Sequence, residues 1–168
     1  MCLTDGSAMA ASRQKLEASS WMAVVRAYQE CNRRYAQLLQ GFELTIPQFD
    51  ALTAISRLGD DATPRAIASE LVVTRGNVTG VLQRLEDSGL IRTKANARDG
   101  RSFICELTRP GNKRLDGARR AAAAFIREQL APFDDRALAR TETQMREMHA
   151  HLQTIDPESI VAAARAAY

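Results

Sequence analysis

From Thr74 to Thr108 the chain reads TRGNVTGVLQRLEDSGLIRTKANARDGRSFICELT. Val78, Val81, Leu82 and Leu85 recur at helical spacing and mark a face turned to a core. Thr74 supplies an N-cap hydroxyl for that helix, and Gly89 can end it in a left-handed conformation. Arg75, Gly76, Asn77 and Thr79 then point outward from the first turns, with Arg84 grouped with them as a candidate contact. Leu90 to Lys94 and Ser102 to Leu107 are rich in strand formers, and between them Ala95 to Arg101 carries turn residues and two arginines. Asp99 and Arg101 are close enough to pair and stiffen that tip, which leaves Arg98 as its exposed cation. Upstream, Pro64 suits the first turn of a helix whose apolar face is Ile67, Ala68 and Leu71. Two short helices followed by a basic hairpin make a helix-turn-helix with a wing. In such a unit the second helix offers its N-terminal residues to base edges, where Arg and Asn pair bidentately with guanine and adenine.

Charge is concentrated on the same segment. The 168 residues carry a formal charge of +3. Between Thr63 and Arg114 ten basic residues face five acids, a balance of +5 (10 − 5), so the remainder is −2 (3 − 5). That uneven placement is the electrostatic footprint of a duplex binder, although Arg-rich solvated helices are common and charge alone favours DNA weakly. One domain is the simplest division of this length. No window reads as a signal peptide or a membrane span, so the expected location is the cytoplasm. Cys2, Cys31 and Cys105 form neither a disulfide framework nor a metal-ligand spacing, and His149 and His151 lie on different sides of their helix. No phosphate loop, His–carboxylate pair or Ser-centred elbow is present, so neither an enzyme nor a cofactor is expected.

These motifs resemble the MarR family of winged helix-turn-helix regulators. The wing pattern stands as Asp99, Arg101, Leu107, Thr108 and Gly111. The recognition-helix pattern is Thr79, Val81, Leu82, Leu85, Glu86, Gly89 and Leu90, and the entry to an earlier helix is Leu44, Thr45, Pro47, Gln48, Phe49 and Leu52. The resemblance covers residues 20–155. It departs at Gly80, where many members carry Arg, and before Lys15, where nothing corresponds. The implied fold is mainly α with a small β-hairpin wing. Residues 1–168 form a single domain, with 45–108 as the DNA-binding core and 16–42 and 109–155 as dimerisation helices. The implied function is a transcriptional regulator, a repressor that binds a pseudo-palindromic operator as a homodimer and is released by a small aromatic or anionic ligand.

The flanking helices agree with a dimer. From Leu16 to Phe42 the apolar positions Trp21, Val24, Val25, Tyr28, Cys31, Tyr35, Leu38, Leu39 and Phe42 follow the helical period. Pro47 to Leu58 reads as a second helix. Arg109 to Leu130 carries Leu115, Ala118, Ala122, Phe125 and Ile126 along one side. Asp134 caps a further helix with Leu138, Met145, Met148, Leu152 and Ile155. Long helices around so short a core cannot bury these faces alone; an intramolecular bundle is the alternative.

Three residues are candidate ligand contacts. The family's ligand cleft lies where the second helix meets the first and fifth, which points to Asp50 with Trp21 or Tyr28. Urate-sensing members use an Asp at the position of Asp50, a Trp near the N-terminus and a recognition-helix Arg. Val81 stands in that last place here, and a solvated or salt-bridged Asp50 is the alternative. Cys31 suggests thiol-based redox sensing, since some members sense peroxides through a first-helix thiol. A buried small hydrophobe is the competing reading of Cys31. A winged helix used only for protein contacts is the other alternative, and it lacks the salt-sensitive DNA affinity of a regulator.

Overall fold

The computed structural model describes residues 5–71, 75–97, 99 and 102–167, and for residues 5–8, 10 and 75 the backbone alone. The elements run α1 (Asp5–Gln40), α2 (Ile46–Leu58), a single 3-10 turn (Gly59–Asp61), α3 (Pro64–Leu71), α4 (Arg75–Asp87), β1 (Ile91–Ala95), β2 (Phe103–Leu107), α5 (Arg109–Leu130), α6 (Asp135–Leu152) and α7 (Pro157–Ala166). The fold is therefore mainly helical with one antiparallel hairpin, as the sequence implies. The chain divides into two compact units, one ending at Phe125 and the other beginning at Ile126.

In the first unit the helix starts are written into the sequence. Thr45 and Gln48 form a capping box: the Gln48 amide donates to Thr45 Oγ1 (3.4 Å) and the Thr45 amide to Gln48 Oε1 (2.9 Å). Pro47 sits in the first turn, where its missing N–H costs nothing. Thr63 does the same for α3, accepting from the Ala66 amide at 3.2 Å. Behind these caps Leu39, Leu44, Leu52, Ile55, Ile67, Leu85, Leu90 and Leu115 are fully buried and join α1, α2, α3, α4 and α5 in one core. Tyr35 stands edge-on to Phe49 (6.1 Å between centroids) and tilted against Phe125 (5.7 Å), so an aromatic trio fastens α1, α2 and α5.

The end of α4 is a Schellman turn. Gly89 takes φ +68°, its amide donates to Glu86 O (2.8 Å), and the Leu90 amide donates to Leu85 O (2.9 Å). Leu85 and Leu90, the apolar pair that accompanies this turn, are both buried. The left-handed stop expected at Gly89 is thus present, and Leu90, expected as the first strand residue, is spent on the cap instead. The hairpin pairs Ile91 with Leu107, Arg92 with Glu106, Thr93 with Cys105, Lys94 with Ile104 and Ala95 with Phe103. The Cys105 amide donates to Ala62 O at 2.9 Å, tying the hairpin to the loop before α3.

Helix α1 is longer than the sequence reading allowed: it begins at Asp5 rather than Leu16 and ends at Gln40 rather than Phe42. Its first turns contain Ala, Ser, Gln, Lys and Glu, which favour or tolerate helix, and an Arg13–Glu17 pair spans one turn at 2.7 Å. At its other end Glu43 adopts φ +54°, a conformation that glycine enters more cheaply. The corner is secured by the Leu44 amide on Leu39 O (3.1 Å) and by an ion pair between Glu43 and Arg114 of α5 (2.8 Å).

In the second unit Asp134 caps α6 as expected, accepting from the Ala137 amide at 2.7 Å. Helix α7 was not anticipated; Asp156 accepts from the Glu158 amide (3.0 Å) and Pro157 occupies the first turn. Neither α6 nor α7 buries a residue in the single chain.

The wing returns to the core over Gly111. A Cβ on Gly111 would overlap the Leu90 carbonyl oxygen and stand 2.9 Å from its carbon. Gly111→Ala should therefore destabilise the fold by about 1–3 kcal/mol or more, the scale of overpacking against atoms that cannot move aside. Urea unfolding followed by circular dichroism measures it; a midpoint equal to the parent's would mean that α5 can shift freely.

Candidate nucleic-acid interface

Helix α4 presents two distinct sides. Val78, Leu82 and Leu85 are buried and Val81 is half-buried, while Gly76, Asn77, Thr79, Gly80, Gln83 and Arg84 are exposed. The division follows the helical period read from the sequence. Gly76 and Gly80 leave the exposed side with little bulk: nothing lies within 4 Å of a Cβ built on Gly76, and the nearest atom to one on Gly80 is the Arg84 guanidinium at 3.8 Å. Arg75 opens the helix, and its side chain is not described. Thr74, the expected N-cap, lies outside the described residues, as do Arg98 and Arg101 of the wing tip. The Asp99–Arg101 brace is therefore not among the described contacts.

Asp99 itself stands in a tip closed by backbone hydrogen bonds. Its amide donates to Asn96 O (3.2 Å), the Ser102 amide donates to Asp99 O (2.9 Å), and the Asn96 amide donates to Ser102 O (3.2 Å).

The wing is fixed to α4 by contacts the sequence did not announce. Glu86 Oε1 accepts from the Thr93 hydroxyl (2.8 Å) and the Thr93 amide (3.1 Å). The Thr108 hydroxyl donates to Gly89 O (2.7 Å), and the Gly111 amide donates back to that hydroxyl (3.1 Å). Thr108 and Gly111 of the wing pattern thus meet Gly89 of the recognition-helix pattern: the end of α4, a strand end and the next helix converge there.

Ion pairs redistribute the basic charge counted above. Glu106 lies across from Arg92 (2.8 Å) and diagonally from Lys94, which also reaches Asp60 at 3.0 Å. The hydrogen bond from Lys94, then that from Arg92, holds the Glu106 carboxyl below the usual range, and the bond to Glu106 raises the Lys94 ammonium. Arg92 and Lys94 thus brace the sheet and are less available to a phosphate than their number suggests. No spacing rule links Asp60 with Lys94, 34 positions apart.

Asp50 is half-buried on α2 and lines an open pocket of about 540 Å³. The pocket runs between the start of α2 and the exposed side of α4, with Pro47, Ala51, Leu71, Asn77, Gly80 and Arg84 on its walls. The aromatic neighbour of Asp50 is Tyr35, whose hydroxyl is raised first by burial and then by the Asp50 charge. Trp21 and Tyr28 are 65% and 69% exposed. They lie fourteen and seven positions before Tyr35 on α1, roughly 21 and 10 Å away along the axis at 1.5 Å per residue. Within one chain Asp50 is thus brought to Tyr35 and α4, and not to the two aromatics expected beside it.

Of the described thiols, Cys105 is sealed in the core and burial pushes it up to about 11, which leaves it inert. Cys31 is half-buried beside Tyr35. Among the described residues there is no cluster of three or more potential metal ligands, and no helix long and apolar enough to cross a membrane.

A helix-turn-helix followed by a two-stranded wing defines a winged-helix protein. A family model described as the MarR family matches residues 42–102. An uncharacterised HTH-type transcriptional regulator of Bacillus cereus is 32% identical over 115 residues, spanning 68% of this chain and 74% of the relative. The organic hydroperoxide resistance transcriptional regulator of Bacillus subtilis is 30% identical over 97 residues, 58% of this chain and 65% of that one. Among solved structures, an organohalide-sensing regulator bound to 2,4-dichlorophenol superposes with a TM-score of 0.71 at 18% identity, covering 81% of this chain and 80% of that one. The Staphylococcus aureus MepR–DNA complex gives 0.67 at 20% identity, over 79% and 95%. The chain belongs to the MarR family of DNA-binding transcriptional regulators.

Burial raises the Asp50 carboxyl above its ordinary value. A folded-state value above the unfolded one means stability that is full below the unfolded pKa, near 3.8, and is lost as pH rises through the folded value. Asp50→Asn should accordingly raise the melting temperature at pH 7 and lose that advantage toward pH 3. A variant equally stabilised or destabilised at both pH values would remove desolvation as the cause.

Proposed function

We propose that the chain is a cytoplasmic, homodimeric repressor whose α4 and wing read a pseudo-palindromic operator, and that a small aromatic or anionic molecule releases it. Residues 45–108 form the DNA-binding core, and 16–42 with 109–155 the dimerisation helices. The observation that carries this reading is the two-sided α4: its apolar side is spent on the core, and its polar N-terminal half is left exposed with a closed basic hairpin beside it. The DNA complex of the structural relative and the phenol-bound form of the other support the two halves of the scheme.

In this reading Arg75 and Asn77 contact base edges, Thr74, Gly76 and Thr79 fit the groove wall, and Arg84 meets a phosphate. Arg98 enters the adjacent minor groove or meets a phosphate, while Arg101 braces Asp99. The apolar positions left open on α1, α6 and α7, among them Trp21, Tyr28, Met145, Met148, Leu152 and Ile160, are what a second copy covers. Two α4 helices related by a two-fold axis would meet successive major grooves, with half-site centres about 10 bp apart. The relative named for hydroperoxide resistance supports a second reading, in which Cys31 senses oxidants; DNA binding indifferent to an organic hydroperoxide would discard it.

Arg98→Ala and Arg101→Ala should weaken operator binding with helical content intact. Arg75→Ala and Asn77→Ala should instead narrow the gap between operator and random DNA, by about 1–3 kcal/mol per bidentate pair. Gel-shift titrations over a salt series separate the two. Wing variants that bind like the parent, or affinity indifferent to salt, would point to a winged helix used for protein contacts only.

Deleting the chain from Asp134 onward should abolish the dimer and most operator affinity. Light scattering with footprinting measures both; a full-length monomer protecting one asymmetric half-site would sink the scheme.

A further inference from the structure

The outward side of α4 begins as a row with no side chains. Val78, Leu82 and Leu85 are its buried side. At about 100° per residue, Gly76, Gly80, Gln83 and Asp87 run along the opposite side. Asn77 and Arg84 flank that row toward α2, and Glu86 flanks it toward the wing, where it holds Thr93. A Cβ on Gly76 would meet nothing within 4 Å, and one on Gly80 only the Arg84 guanidinium at 3.8 Å. Neither glycine has the left-handed φ of Gly59 and Gly89. Packing and backbone conformation within the chain therefore ask for glycine at neither place. Glycine weakens a helix, and its recurrence on an exposed side fits a surface that something outside must approach closely. A helix with its side chains is about 10–12 Å across and the major groove about 12 Å wide. Without side chains on the leading row, the backbone can seat deeper, N-terminal end foremost.

Gln83 is the first residue along that row with a base-reading group, and it stands in the third turn. A helix that enters by its N-terminus lies farther from the bases there, and a long side chain spans the gap. Gln83 is also oriented: its Nε2 donates to Asp87 Oδ1 at 2.9 Å. A carboxylate only accepts, so the amide NH2 is committed to Asp87 and Oε1 is turned away from it. One N–H of the amide remains to donate beside that oxygen. Adenine offers N6–H2 to the oxygen and N7 to the N–H, so it satisfies both. Guanine offers two acceptors, O6 and N7, and sets one of them against Oε1. Cytosine supplies a donor alone.

Building on the operator reading above, we infer that Gln83 is a specificity-determining residue that reads an adenine in each half-site and rejects guanine. Asp87 is its positioning residue, fixing which way the amide faces. Gly76 and Gly80 let α4 seat deeply enough for Gln83 to reach the base edge. Gln83 thereby joins Arg75 and Asn77 as a third reading side chain, one turn farther along the groove than either.

The test lets the full-length protein select from a pool of duplexes with a randomised centre, and the bound fraction is sequenced. Each recovered half-site should hold one adenine whose preference Gln83→Ala erases while the other positions keep theirs. Replacing that adenine by guanine should cost the parent about tenfold or more in a gel-shift titration, and Gln83→Ala less than about threefold. Asp87→Ala frees the amide to turn over and should admit guanine at that position alone. Gln83→Glu, which accepts but no longer donates, should move the preference to cytosine. Gly76→Ala and Gly80→Ala should unfold no earlier than the parent, because alanine favours helix and has room, yet bind the recovered duplex at least tenfold more weakly. A uniform loss in Gln83→Ala with every preference kept would make Gln83 a phosphate contact and overturn the assignment. Guanine still rejected by Asp87→Ala would overturn the part given to Asp87, and alanine variants of the two glycines that bind like the parent would overturn the close approach. A parent that enriches no sequence would overturn the operator reading itself, and Gln83 with it.

Discussion

The carbonyl oxygen of Leu90 receives the Thr108 amide at 3.0 Å and the Thr108 hydroxyl at 3.1 Å, and Gly111 packs directly on it. Three elements converge on that one atom: the C-terminus of α4, the end of β2 and the first turn of α5. Each must pass close to the others, and each solves the crowding in its own way. Gly89 turns left-handed so that Leu90 points into the core, Thr108 supplies a hydroxyl that bonds both ways, and Gly111 has no Cβ. Were this junction to open, α4 would lose its fixed angle to the wing. Two reading elements can match one duplex only if that angle is constant.

Electrostatics reinforce the same geometry. Glu86 reaches from α4 to Thr93, and Glu106 gathers Arg92 and Lys94 on one face of the hairpin. These pairs are exposed and individually weak. Their effect is orientation: they hold β1 against α4 and brace one face of the hairpin. A residue's formal charge therefore says little about its role until its partner is known. Arg92 and Lys94 counted equally with Arg98 in the sequence, yet their partners assign them to the sheet.

The same face of α4 that would meet DNA also borders a pocket, and the reason is a shortage of side chains. Gly76 and Gly80 weaken the helix by roughly 1 kcal/mol each relative to alanine, a cost that recurs where backbone must be approached closely. A helix so stripped leaves bare backbone on its outward side and on the wall of the pocket beside α2. Family members with Arg at the position of Gly80 would fill that space. The departure from the common pattern is thus a structural feature with consequences for binding.

The sequence alone determined the cap at Asp134, the left-handed stop at Gly89 and the buried face of α4, because these follow from interactions within a few residues, and its motifs in their order carried the winged architecture. It placed the strands within a residue. It misjudged where α1 begins, since a run of ordinary helix formers carries no start signal, and it overlooked α7, whose Asp156–Pro157 start is as local as the others. Only the tertiary structure decided the rest. The Leu90–Thr108–Gly111 junction, the Lys94–Asp60 and Glu43–Arg114 pairs, and the placing of Asp50 near Tyr35 and α4 all join residues far apart in the chain. Periodicity tells which way a side chain faces. What it faces depends on how the helices pack, and that is set by the whole core at once.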